Sequence, residues 1–120
     1  MLLDMAHRLR AGHDVILASQ TLLQVKTMIA DLGRHLGRGV IEGEVARWGN
    51  SGHAHFFALE PDHPRVADLL CITAAWCDEL YGFRATRNQI GAANHLVRNL
   101  RKVVHGTNPK IMITGDPAWP

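Results

Sequence analysis

"VILASQTLLQVKTMIADLGRHL", Val15 to Leu36, is the stretch on which the reading of this fold turns. Leu22, Val25, Ile29, Leu32 and Leu36 recur at three-and-four spacing, the repeat of a helix with one apolar stripe, and Gly37 follows as a stop. Asp14 stands in front of the run with a side chain suited to capping, so the pattern predicts one long helix beginning at Val15. A shorter amphipathic piece, Leu2 to Arg10, precedes it.

Beyond Gly37 the period changes. "GVIEGEVARW" and "GHAHFFALE" flank the turn residues "GNSG", which predicts a β-hairpin near residues 40–60 covered by Trp48, Phe56 and Phe57. Helical signals return at Asp62 and Pro64, and Val66, Leu69, Thr73, Cys77 and Leu80 predict a helix from Pro64 to Tyr81. In "FRATRNQIGAANHLVRNLRKVVHG", Phe83 to Gly106, Thr86 and Gln89 form a capping-box pattern. Ile90, Ala93, Val97, Leu100 and Val104 form its seam, and Gly106 stands at the expected C′ position. "PKIMITG" reads as a short strand and "DPAWP" as a proline-locked tail. The expectation is a helix-rich α+β fold, one domain over residues 1–120, in the order α-α-β-β-α-α-β. Its C-terminal helical pair, joined by "GFRAT" and followed by "KIMITG" in the place of a wing strand, resembles a winged-helix arrangement.

A chain of 120 residues with 47% hydrophobic content can build a core without disulfides. Its two cysteines, Cys71 and Cys77, are too few for a secreted framework and are expected to be core thiols in a reducing compartment. No apolar run approaches the length of a membrane span, and Asp4 and His7 interrupt the N-terminus where a signal peptide needs an apolar region. A cytoplasmic location is expected.

The net charge of +2 hides an asymmetry. Residues 1–79 carry net −3 and residues 80–120 net +5, with no acidic side chain from Leu80 to Gly115. Wound at 100° per residue, Arg87, Asn94, Arg98, Arg101 and His105 share an arc of about 60°, which Lys102 and His95 extend. Solvated helix faces usually intersperse glutamates among their lysines and arginines, and here none occur. The composition is that of a helix that meets phosphates, with an asparagine amide able to read a base edge.

Four short resemblances accompany this reading. "RNLRKVVHG" is similar to the motif of HEPN-type ribonucleases, an arginine, a polar residue, a spacer and a histidine. It implies a helical bundle in which Arg98 holds the phosphate and His105 assists attack by a 2′-hydroxyl. "HAHFFALE" resembles the first metal motif of cupins, through His53, His55 and Glu60. "GEVARWGNSGHAHFFALE" resembles the start of the single-strand-binding OB domain in the large subunit of exonuclease VII, which also implies nucleic acid. The fourth is the winged-helix likeness above.

The sequence reading therefore expects a small, non-catalytic nucleic-acid-binding protein without metal or other cofactor. Arg84, Arg87, Arg98, Arg101 and Lys102 are expected on the phosphate backbone, with Asn94, Asn99 and His105 as further contacts. A ribonuclease using Arg98 and His105 is the enzymatic alternative. A module docking its basic face on an acidic protein partner is the other.

Overall fold

The computed structural model describes residues 1–59, 66, 69, 71–81, 86–106 and 108–114. It is a mixed α and β fold whose order is α1 (Leu2–Arg10), β1 (Asp14–Ser19), α2 (Leu22–Leu36), β2 (Val40–Glu42), β3 (Val45–Arg47), β4 (His53–Ala58), β5 (Ile72–Cys77), α3 (Arg87–Val103) and β6 (Lys110–Ile113). The six strands form one sheet in the order β2-β3-β4-β1-β5-β6. β1 runs parallel to β4 and β5, β6 runs parallel to β5, and β2, β3 and β4 pair antiparallel. The expected order and the winged-helix arrangement are therefore replaced by a sheet-centred fold.

The correction begins at Val15. Val15, Ile16, Leu17 and Ala18 are each fully buried, hydrogen-bonded into a strand with parallel neighbours on both sides. A strand covered on both faces reads as an unbroken apolar run, which a helical template also accepts. The helix begins only at Thr21, whose side chain accepts from the Gln24 backbone N–H while the Gln24 side chain accepts from the Thr21 N–H. Val25, Met28, Ile29 and Leu32 form its buried face, and Leu22, read as part of the stripe, is 44% exposed.

A second correction has the same origin. Ile72 to Cys77, read as the end of a helix, is a strand between β1 and β6, with Ala74, Ala75 and Cys77 fully buried. No helix therefore runs through to Tyr81, the helix-turn-helix pair is not formed, and "KIMITG" pairs beside β5 instead of acting as a wing. Cys77 is a core thiol as expected, its pKa pushed up to about 12 by burial, whereas Cys71 is exposed ahead of β5 in a left-handed conformation with φ +62°. Pro64, the "GFRAT" link from Gly82 to Ala85 and the "DPAWP" tail lie outside the described residues.

Elsewhere the sequence pattern is realised. β3 and β4 pair across the Trp48–Gly52 turn, with Val45 opposite His55 and Arg47 opposite His53, and Trp48, Phe56 and Phe57 are buried. Gly52 is required there, because a Cβ would stand 1.9 Å from the His13 carbonyl oxygen. An additional turn joins β2 to β3, where Gly43, at φ +60°, takes the first loop position of a type II′ turn. α3 carries the Thr86/Gln89 capping box but ends at Val103, so Val104, expected in the seam, is its C-cap and Gly106 falls one residue beyond the expected C′ position.

Side chains alternate across β1 and so sort the helices. Val15 and Leu17 face a core with Met5 and Leu9 of α1 and Val25 and Leu32 of α2. Ile16 and Ala18 face the other core with Ala93, Leu96, Val97 and Leu100 of α3. Burying each leucine or valine of these helices contributes about 1.5–3 kcal/mol. The result is three layers, α1 and α2 on one side of the sheet and α3 on the other.

Arg8 ties the amino edge together. It is 8% exposed, pairs with Asp4 at 3.3 Å, and donates to the carbonyl oxygens of Thr73 (3.3 Å) and Asn108 (2.5 Å). Arg8→Met keeps the aliphatic stem but strands these acceptors, so it is expected to cost about 1–3 kcal/mol. Urea denaturation of the two proteins measures the difference, and equal midpoints would show that the ties carry no net stability.

Candidate functional site

Three places in the molecule gather chemistry. The first is the outward face of α3. Ala93, Leu96, Val97, Leu100 and Val103 are buried, while Arg87, Asn94, His95, Arg98, Arg101 and Lys102 are exposed. The seam is rotated slightly from expectation: Ile90 is 42% exposed and Leu96 takes its place in the core. Among the described residues Arg87, Arg98, Arg101 and Lys102 form no ion pair with a carboxylate.

The other expected contacts are less available. Asn94 accepts the Tyr81 hydroxyl on its Oδ1 at 2.5 Å, which engages half of the amide that would read a base edge. Asn99 is half-buried, its Nδ2 3.1 Å from His95 Nε2. His105 lies beyond the helix end, and its Nδ1, 2.7 Å from the Val103 carbonyl oxygen, carries a proton and donates to it. Arg84 lies outside the described residues. Arg98 and His105 thus do not share the helix that the ribonuclease resemblance implies, and a six-stranded sheet stands where that family has a helical bundle.

The second place is the carboxyl edge of the sheet. β1 leads into α2 on one face and the chain returns in β4 to one side; β5 precedes α3 on the opposite face and β6 lies to the other side. The connections diverge between β1 and β5. In open α/β sheets the crevice for a ligand opens outside the carboxyl ends of strands at such a switch point.

Ser19, Asp78, Glu79 and Thr114 close these strand ends. The buried Ser19 hydroxyl donates to the Asp78 carbonyl oxygen at 2.6 Å, and the Asp78 N–H donates to Ala18 O at 3.0 Å. The Thr114 hydroxyl donates to Asp78 Oδ1 at 2.7 Å, which fixes the carboxylate in orientation. Glu79 is exposed and sits in the left-handed region at φ +53°, a conformation that costs a non-glycine residue free energy and clusters at functional sites. Next to Ser19, the Gln20 Nε2 is buried with no hydrogen-bond partner. Sequence reasoning missed all of these; the available signal was the apolar run "ITAAWC" ending in Asp78-Glu79, hidden by its assignment to a helix.

The third place is the histidine pair at the amino edge. Asp14 Oδ1 accepts from the His53 backbone N–H at 2.8 Å and lies 3.4 Å from its Nδ1, and Oδ2 lies 3.8 Å from His55 Nε2. Among the described residues no three His, Cys, Asp or Glu side chains converge to hold a metal ion, here or elsewhere. Glu60, the third residue of the cupin-like motif, lies outside the described residues.

No protein-family model and no curated protein matches the sequence. Among the described residues no helix is long and apolar enough to cross a membrane.

Burial pushes the His55 pKa below its ordinary value of 6.5, while Asp14 opposes this and His53 adds to it. The folded protein thus binds fewer protons here than the unfolded chain, so stability falls as pH drops through about 6.5 toward the lower folded-state value. Urea midpoints at pH 7.5 and 5.5 are expected to differ more for the wild type than for His55→Gln. Identical differences in the two proteins would assign the slope to other groups.

Proposed function

We propose that the protein acts on phosphate esters, taking a magnesium-bound polyphosphate of the nucleoside triphosphate class at its carboxyl edge and laying α3 along a nucleic acid. The observation that carries the first part is the coincidence of Asp78-Glu79 with the β1/β5 switch point. An apolar strand closing on an aspartate at this position has the form of a Walker-B segment, whose carboxylate holds magnesium on nucleotide phosphates. Magnesium needs only one or two carboxylates, with water and phosphate oxygens completing its shell. In this reading Asp78, oriented by Thr114, would hold the cation, and Glu79, next in the chain, would serve as general base for water.

A phosphate-cradling loop of the form Gly-x-x-x-x-Gly-Lys-Ser/Thr does not occur in these 120 residues. The test therefore reads the cation and not turnover. Substoichiometric Mn²⁺ is expected to broaden the amide NMR signals of Ser19, Glu79 and Thr114, and Asp78→Asn is expected to remove that broadening while leaving the rest of the spectrum in place. Broadening that persists in the variant, or that falls elsewhere, would remove the carboxyl edge from the reading.

The second part rests on the acid-free outward face of α3. Arg87, Arg98, Arg101 and Lys102 would neutralise phosphates and release counterions, so affinity for duplex DNA falls with salt by about 0.9 log units per log unit of salt for each phosphate contacted. Fluorescence anisotropy over a salt series is expected to give a slope that Arg98→Ala reduces by about one contact. A flat response, with capture of an acidic protein in its place, would leave the same cations as a protein-docking face.

A further inference from the structure

We propose that the β2–β3–β4 shelf holds a single nucleobase bearing an exocyclic amine, an inference that rests on the nucleic-acid reading of α3. Residues directly opposite in antiparallel pairs share a sheet face. Val40 opposes Arg47, Glu42 opposes Val45, Arg47 opposes His53 and Val45 opposes His55, so all six side chains lie on one face. His55 is in register with Ile16, which faces the α3 core, so this is the face that α3 covers farther along the sheet. Over β2 and β3 no helix follows among the described residues.

A pocket of about 260 Å³ opens there, lined by Val40, Glu42, Val45, Arg47 and His53. Its volume is below the range of drug-sized ligand sites and gives room for one ring. Its chemistry narrows the ring further. Glu42 repels a bare anion such as a free phosphate, and Arg47 repels a bare cation. The two make no ion pair with each other, so acceptor and donor both remain for a ligand. A neutral, planar ring with hydrogen-bonding edges satisfies all the groups at once: valine side chains meet its face, Arg47 and His53 stack or donate, and Glu42 accepts. A nucleobase is such a ring, and single-stranded bases are taken up by stacking on arginine or aromatic planes.

Glu42 sets the preference. A carboxylate accepts from the cytosine N4 amine, whereas thymine presents its O4 acceptor in that place and is repelled. Anisotropy with labelled dC12 and dT12 is expected to show dC12 bound about tenfold more tightly, within the span that one specific base contact supplies. Glu42→Ala is expected to bring the two affinities together, Arg47→Ala to weaken both strands, and Arg98→Glu to weaken both while keeping their ratio. A ratio near one in the wild type, or a ratio that survives Glu42→Ala, would overturn the shelf as a base site. NMR titration with free cytidine separates the two readings. If no strand binds but cytidine shifts the Glu42, Arg47 and His53 amides, the shelf stands and the α3 reading fails; if strands bind and cytidine leaves these amides unmoved, the shelf fails and α3 stands.

Discussion

Exclusion of water from both faces of β1 is the constraint from which the rest of the structure follows. Val15, Ile16, Leu17, Ala18 and Ser19 are all fully buried, so the sheet needs a helical layer on each side. The alternation of these side chains assigns α1 and α2 to one layer and α3 to the other. With parallel partners on both flanks, β1 also brings Ser19 beside Asp78, at the carboxyl ends of the strands where the connections diverge. A polar substitution between Val15 and Ala18 would enter one core or the other according to its parity, since each of these side chains is fully buried.

How much of this was legible in the sequence depends on whether an element shows a face to water. α1, α3 and the β3–β4 hairpin each have one, so their apolar residues recur with a readable period or sit beside a glycine turn. β1 and β5 have none. An apolar run buried on both sides carries no period, and any template fits it. The decisive local signal was Thr21 with Gln24, the same capping box as Thr86 with Gln89, which marks a helix start six residues after Val15. A helix that starts at Thr21 leaves Val15 to Ser19 outside it, as a strand.

The candidate sites divide along the same line. Outward placement of Arg87, Arg98, Arg101 and Lys102 followed from winding alone and was legible. The engagement of Asn94 was not, because its partner Tyr81 arrives from the end of β5, 13 positions away in the chain. Asp78 and Glu79 acquire meaning only from the strand order, which brings β6 and its Thr114 hydroxyl beside them from 36 positions away. Strand order is a long-range property, and no local pattern in a single sequence encodes it.

Charge is also sorted by position. The exposed cations of α3 stand on a helix surface, where a polyanion can lie along several of them and each contact is weak and screened by salt. The acidic pair stands at the strand ends, where the Asp78 carboxylate, held by a hydroxyl and flanked by backbone hydrogen bonds, keeps one orientation. On the proposed reading a phosphate chain would meet both: the oriented Asp78 carboxylate through the cation that neutralises it locally, and the distributed basic surface along its length. Tyr81 links the two, since it follows Glu79 closely in the chain, is 8% exposed, and bonds Asn94 in the middle of α3. The edge and the helix are therefore parts of one packed unit, and α3 cannot shift along its axis without breaking a buried hydroxyl contact beside the acidic pair.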